Sequence, residues 1–207
     1  MSESRAAAAS ERLLVLSEQL AARADRVSIG ELLEGLGRAA LALGLMVPSL
    51  LAMIPLPGPF GILFGTMIAA IALQVMMGAT RLRLPRFLAV RTIPSAAVGT
   101  ALRRFAKPLQ WAERLSTPRR LLPLTGRVAR VVLAAPLLVM ALTITLPIPL
   151  GNGLPAAAVI VFALGFMERD GLAILAALGL CVVALVWTAG LILFGTEIFG
   201  WLLRLLG

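Results

Sequence analysis

The residues able to do chemistry in this chain are few, and the chain repeats them. Thr145-Leu-Pro-Ile-Pro-Leu-Gly-Asn-Gly153 stands 92 residues after Met53-Ile-Pro-Leu-Pro-Gly-Pro-Phe-Gly61, with no gap between the two frames. Pro55 then falls on Pro147, Pro57 on Pro149 and Gly61 on Gly153. Proline lacks a backbone donor and glycine relaxes the φ restriction, so each copy is a poor helix interior and leaves backbone groups free. One turn offers Pro55, Pro57, Gly58 and Gly61, and the other Pro147, Pro149, Gly151, Asn152 and Gly153. Their chemistry is coordination and hydrogen bonding by helix ends, freed carbonyls and one carboxamide, the means by which broken helices build transporter sites. The plain alternative is a pair of hairpin turns outside the membrane, where these residue types are expected anyway.

Three further groups carry polar atoms. Glu168, Arg169 and Asp170 form the one charged cluster between the last two apolar runs. They read either as a proton or cation relay or as a solvated turn at an interface, since neighbours at i and i+2 do not face each other on a helix. Arg38 and Arg130, matched by the repeat, are placed to contact the phosphates of a lipid or precursor, or to mark the membrane boundary by snorkelling. Gln74 is the strongly polar side chain of its apolar run, suited to an interhelical hydrogen bond or to lining a pathway.

Composition removes most other chemistry. The 207 residues include no His and one Cys, Cys181, inside the longest apolar run. Disulfides, zinc-type sites, haem ligation through His, and Ser-His or Cys-His catalysis are therefore excluded. Without a buried carboxylate pair the sequence gives no support to an enzyme, and no cofactor or metal is expected. The chain is 60% hydrophobic and 14% charged, against about a quarter charged in a soluble domain, so the class is integral membrane protein. The net charge of +9 reads as membrane topology, not nucleic-acid binding.

The elements that position these groups follow from the same patterns. Residues 1–27 form an amphipathic or unstructured cytoplasmic tail, and 28–207 a single helical membrane domain. Ser28-Ile-Gly-Glu31 is a capping-box pattern that starts a helix running on to Ile54. Repeat 1 covers about 38–78 and repeat 2 about 130–170, with nine identities in the 24 positions from Arg38 to Gly61. Between them, residues 79–129 form a basic connector, expected as two short amphipathic helices interrupted at Pro108 and lying on headgroups. Twelve of the nineteen basic residues fall between Ala79 and Arg130, which puts that block in the cytoplasm. The fold expected is all-α, with two repeated helix hairpins broken at Pro-x-Pro turns and a terminal transmembrane helix over 171–195. That last run alone reads as long enough to cross a bilayer core of about 30 Å outright. The hairpins are either re-entrant from the cytoplasm or fully spanning, and an inverted-topology pair would move one basic end to the far side.

Several stretches carry a resemblance. Pro55-Leu-Pro-Gly-Pro59 with Phe64-Gly65, Gln74 with Gly78 before Leu84-Pro-Arg86, Leu146 to Asn152, and Glu168-Arg-Asp-Gly171 together resemble the ExoD family. The resemblance covers about residues 28–195 and implies a bacterial inner-membrane protein associated with exopolysaccharide synthesis, in a family also linked to alkali tolerance. It carries no catalytic residue. The expectation that follows is a non-enzymatic protein moving or gating a lipid-linked or anionic precursor. The alternatives are an ion or proton transporter, or a structural subunit of a synthesis complex. Expected partners are anionic lipid headgroups at the connector, the polysaccharide synthesis machinery and a second copy of the chain.

Overall fold

A computed structural model describes residues 11, 14–15, 17–19, 26–37, 39–54, 59–79, 81–96, 98–100, 102–103, 127–148, 150–168 and 170–206. The molecule is mostly helical. In chain order the elements are β1 (Arg26–Ser28), α1 (Ile29–Leu36), α2 (Ala39–Ala52), α3 (Phe60–Met76), α4 (Arg86–Ala89), β2 (Thr92–Pro94), α5 (Arg127–Thr145), α6 (Gly153–Glu168) and α7 (Gly171–Leu206).

The capping box forms as the sequence predicts. The Glu31 N–H donates to Ser28 Oγ at 3.2 Å and the Ser28 N–H donates to Glu31 Oε2 at 3.1 Å. The helix it starts is shorter than expected. Gly37 adopts φ 54, and its N–H caps the carbonyls of Leu33 and Glu34. The axis then turns by 118° into α2. A left-handed residue at a helix end is the ordinary role of glycine and ends α1 here.

Two apolar hairpins, α2–α3 and α5–α6, pack together as a bundle in which α3 lies against α5 and α2 against α6. The long α7 folds back along α6. Their shared core is close-packed: Leu45, Ile68, Leu137, Met140, Ile144, Val159, Phe162 and Ile174 are fully buried, and every helix of the bundle contributes at least one of them. Pro48 and Pro136 lie inside α2 and α5 without ending either helix. A buried helix tolerates proline where neighbouring groups take up the freed backbone.

The all-α expectation needs one correction. β1 and β2 pair antiparallel, with Arg26 opposite Pro94, Val27 opposite Ile93 and Ser28 opposite Thr92. The Arg26 guanidinium reinforces the ribbon by donating to the Thr92 carbonyl at 3.1 Å. Val27 is buried in a second apolar cluster with Leu36, Ala40, Leu43, Val98 and Leu102. A domain boundary at 27/28 therefore falls inside a strand. The earlier amphipathic stretch also joins this cluster, through Leu14, and Arg103 Nε reaches Ser17 Oγ at 3.4 Å. The connector's expected break at Pro108 lies outside the described residues.

A second correction concerns spans. Among the described residues two helices, not one, have the length and composition to cross a membrane: Val128–Thr145 within α5 and Gly171–Gly195 within α7. The helix that opens the second copy begins at Arg127, ahead of the repeat boundary at about 130, and so gains the length to span. The helices Phe60–Met76 and Gly153–Glu168 are apolar but shorter.

Candidate functional site

The two turns meet. Gly61, in the first turn of α3, faces the end of α5 and the start of α6. A Cβ added there would lie 2.7 Å from the Ile144 carbonyl oxygen and 3.0 Å from Asn152 Nδ2. One helical turn on, a Cβ at Gly65 would lie 2.5 Å from Thr145 Cγ2 and 2.7 Å from the Ala141 carbonyl oxygen. Gly61-x-x-x-Gly65 is thus a small-residue pair that lets the α3 and α5 backbones cross in contact, as in packed membrane helices. The sequence reads Gly61 as a turn glycine; the structure places it inside α3, at a close helix crossing. Gly65 was passed over, although its spacing from Gly61 is the signal that finds it.

Beyond α5, the second turn is built by short hydrogen bonds. The Ile148 N–H donates to the Leu146 carbonyl at 2.8 Å, and the Gly151 N–H donates to the Ile148 carbonyl at 3.0 Å. Leu150 sits at φ 60, a left-handed conformation costly for a branched side chain. Asn152 then serves as the residue before α6, its carbonyl accepting from the Ala156 N–H at 3.0 Å. Its side chain does not cap. An asparagine in this position bonds the N–H two or three residues ahead; the third residue, Pro155, has none, which leaves Leu154 as the one such donor, and Oδ1 does not take it. Asn152 Oδ1 is buried with no hydrogen-bond partner among the described residues, and so is Thr188 Oγ1 on α7. The Trp187 indole N–H, beside Thr188, donates to the Leu150 carbonyl at 3.4 Å and fixes the level at which α7 passes the turn.

The other sequence candidates separate from this meeting point. Gln74 lies at the opposite end of α3, about 20 Å from the turns at 1.5 Å per residue. There its Oε1 accepts from the Arg83 N–H at 2.9 Å, and its carbonyl accepts from the Ala79 N–H at 2.9 Å. With Gly78 at φ 82, Gln74 fastens the chain's exit from α3 and does not bridge two helices. Asp170 is buried and caps α7, with Oδ1 accepting from the N–H groups of Leu172 at 2.9 Å and Ala173 at 3.4 Å. Glu168 closes α6 at that same end, and Arg130 sits half-buried in the first turn of α5. Gly151 is buried and Gly153 has open space around it. Pro147 lies in the second turn, while Pro55, Pro57, Gly58, Pro149, Arg38 and Arg169 lie outside the described residues. No group of three His, Cys, Asp or Glu residues suited to a metal occurs among the described residues.

The described residues therefore form a helical bundle with two helices apolar and long enough to cross a membrane, in which the start of α3 meets the second turn, remote from Gln74 and Asp170. The profile of the family described as "Exopolysaccharide synthesis, ExoD" matches residues 10–190. The chain belongs to the ExoD family, and with it has a role in exopolysaccharide synthesis. An uncharacterized Synechocystis protein, slr1875, is 27% identical over 151 residues, which cover 72% of this chain and 71% of that one. No solved structure matches the chain.

Proposed function

We propose that this protein is a non-enzymatic, multi-pass component of the bacterial inner membrane that handles a lipid-linked or anionic exopolysaccharide precursor where its two turns meet. The observation that carries the reading is the contact of Gly61 with Asn152. It joins residues from the two copies of one motif at the place where the start of α3, the end of α5 and the start of α6 converge, and repeat-built transporters form their sites from such helix ends.

The depth of the turns supports re-entrant hairpins. Trp187 lies about 24 Å along α7 from Gly171, and uncharged sequence continues about 13 Å further to Thr196. Leu150, Leu146, Ile54 and Phe60, all at the turn end, are exposed and apolar. A surface of that kind suits hydrocarbon, with α7 running past it to the far side. At the opposite end Arg81, Arg83, Arg86 and Arg91 are exposed beside exposed Met77 and Val90. Such a collar fits the anionic cytoplasmic leaflet, and a partner in the synthesis machinery or a second copy would dock alongside.

The test is Asn152→Leu in a complemented deletion strain, read as polysaccharide output with the membrane-fraction protein level measured alongside. Loss of output at normal protein level is expected. Normal output would remove the turn site and leave a structural subunit. Loss of alkaline growth with output intact would favour ion transport.

A further inference from the structure

The buried stripe of α7 runs through Ile174, Ala177, Cys181, Ala184 and Thr188, all 5% exposed or less. The first four are apolar. Thr188 ends the stripe with a hydroxyl that has no partner among the described residues, in a position 95% removed from solvent. Helix threonines elsewhere in the chain behave differently: Thr66 Oγ1 donates to the Ile62 carbonyl at 2.6 Å and Thr143 Oγ1 to the Val139 carbonyl at 2.9 Å. A buried polar group without a partner is costly, and in a native protein it marks a place where a further molecule supplies the missing bond.

The fold sets what lies opposite. A Cβ at Gly165 would touch the Ile174 side chain at 2.8 Å, so α6 and α7 run antiparallel from that pair. Fourteen residues along α7 from Ile174 is Thr188, and fourteen back along the chain from Gly165 is Gly151, next to Asn152. The Trp187–Leu150 hydrogen bond confirms that level independently. Two unpartnered buried oxygens, Asn152 Oδ1 and Thr188 Oγ1, therefore share the N-terminal end of the 16-residue α6. Gly153, in its first turn, has nothing within 4 Å of a would-be Cβ.

We infer that this end of α6, between Asn152 and Thr188, is a binding site for a neutral, hydroxyl-rich ligand of the glycosyl class. Residues 39–79, 146–167 and 171–196 contain no charged side chain, so an ion entering here would lose its hydration with no opposite charge to replace it. A hydroxyl both donates and accepts. It satisfies the carboxamide oxygen and the threonine together, and it takes bonds from the N–H groups that a helix start leaves free. Trp187 is 45% exposed and its indole N–H reaches the Leu150 carbonyl, two residues before Asn152, so an aromatic side chain borders the same turn, as one does in many ligand sites. The site rests on the proposed handling of a precursor at the turns and names the part of that precursor it holds.

The experiment uses the full chain in lipid nanodiscs with Trp111→Phe and Trp201→Phe, which leaves Trp187 as the sole indole. Hexyl β-glucoside and 1-hexanol are the probes. The expected result is a saturable change in Trp187 emission with the glucoside and none with the alcohol. Asn152→Leu and Thr188→Val should each weaken the glucoside response at least tenfold while thermal unfolding stays cooperative. The same response to both probes, or full retention of the glucoside response in both variants, overturns the site and means that a structural water alone completes these oxygens. Polysaccharide output separates the two proposals. A glucoside response lost in variants of normal output upholds the site and sinks precursor handling, whereas no response with output lost in Asn152→Leu does the reverse.

Discussion

Gly61 and Asn152 lie 91 positions apart in the sequence, yet a Cβ on the first would stand 3.0 Å from the amide nitrogen of the second. The contact exists because α3 has no side chain at Gly61 or Gly65 to hold α5 away. Closeness at that crossing, more than any single polar group, determines whether the two turns share one site. It also makes Gly61→Leu a poor probe of function, since the Ile144 carbonyl at 2.7 Å leaves no room for a side chain in either a transporter or a structural subunit.

The crossing can be tested by volume. Gly65→Ala places a methyl group 2.5 Å from Thr145 Cγ2 and should destabilise the protein by about 1–3 kcal/mol, the usual cost of overpacking. Gly179→Ala, with nothing within 4 Å, is the control and should be neutral or slightly stabilising through helix propensity. Thermal unfolding in detergent, followed by circular dichroism, measures both. Equal midpoints for the two variants would mean that α3 and α5 are not in backbone contact.

Leu150 offers the opposite sign. It is 76% exposed and held at φ 60, so its side chain contributes little packing while its backbone is strained. Leu150→Gly should stabilise by about 0.5–1 kcal/mol, the left-handed penalty relieved less the extra entropy that glycine brings to the unfolded chain. The first copy already has glycine, Gly58, at the matching position. A lower unfolding midpoint for the variant would show that Leu150 is packed against lipid or a partner.

Asp170 is predicted to matter as a cap. Asp170→Ala removes the acceptor for the Leu172 and Ala173 N–H groups and should cost about 1–2 kcal/mol, whereas Asp170→Asn keeps an oxygen in place and should cost less. Unfolding midpoints and membrane-fraction levels of the two variants give the comparison. An alanine variant as stable as the asparagine would point away from capping and back to a role for the charge.

What the sequence made legible was local. Ser28 and Glu31 are three residues apart, and the capping box they spell forms as written. The helical class followed from the apolar runs, which need no knowledge of the rest of the chain. The ribbon of Val27 with Ile93 did not show, because three residues of strand carry too little pattern and the partner lies 66 positions away. Thr188 was invisible for a related reason. A threonine in an apolar helix usually bonds its own backbone, and only the packing of α7 on α6 determines that this one is buried without a partner. Gln74 misled because its polarity was legible and its destination, the N–H of Arg83, was not.

Topology gives the last test, and it separates re-entrant hairpins from spanning ones. Cys181 is buried, so Cys181→Ser provides a background in which a single new cysteine reports on its surroundings. Ser95 is a poor probe position at 3% exposure, whereas Met77 at 76%, Val90 at 71% and Leu150 at 76% are open. Met77→Cys and Val90→Cys flank the arginine collar and should react with an impermeant maleimide only in inside-out vesicles, as the positive-inside rule requires. Leu150→Cys decides the question. If the turns end inside the bilayer, short of the far interface by the remaining apolar length of α7, it reacts with a membrane-soluble maleimide and with the impermeant reagent from neither side. Reaction from outside in intact cells would mean that all four hairpin helices cross, and the turns would then be loops in water. Reaction at Val90→Cys from outside would invert the whole arrangement.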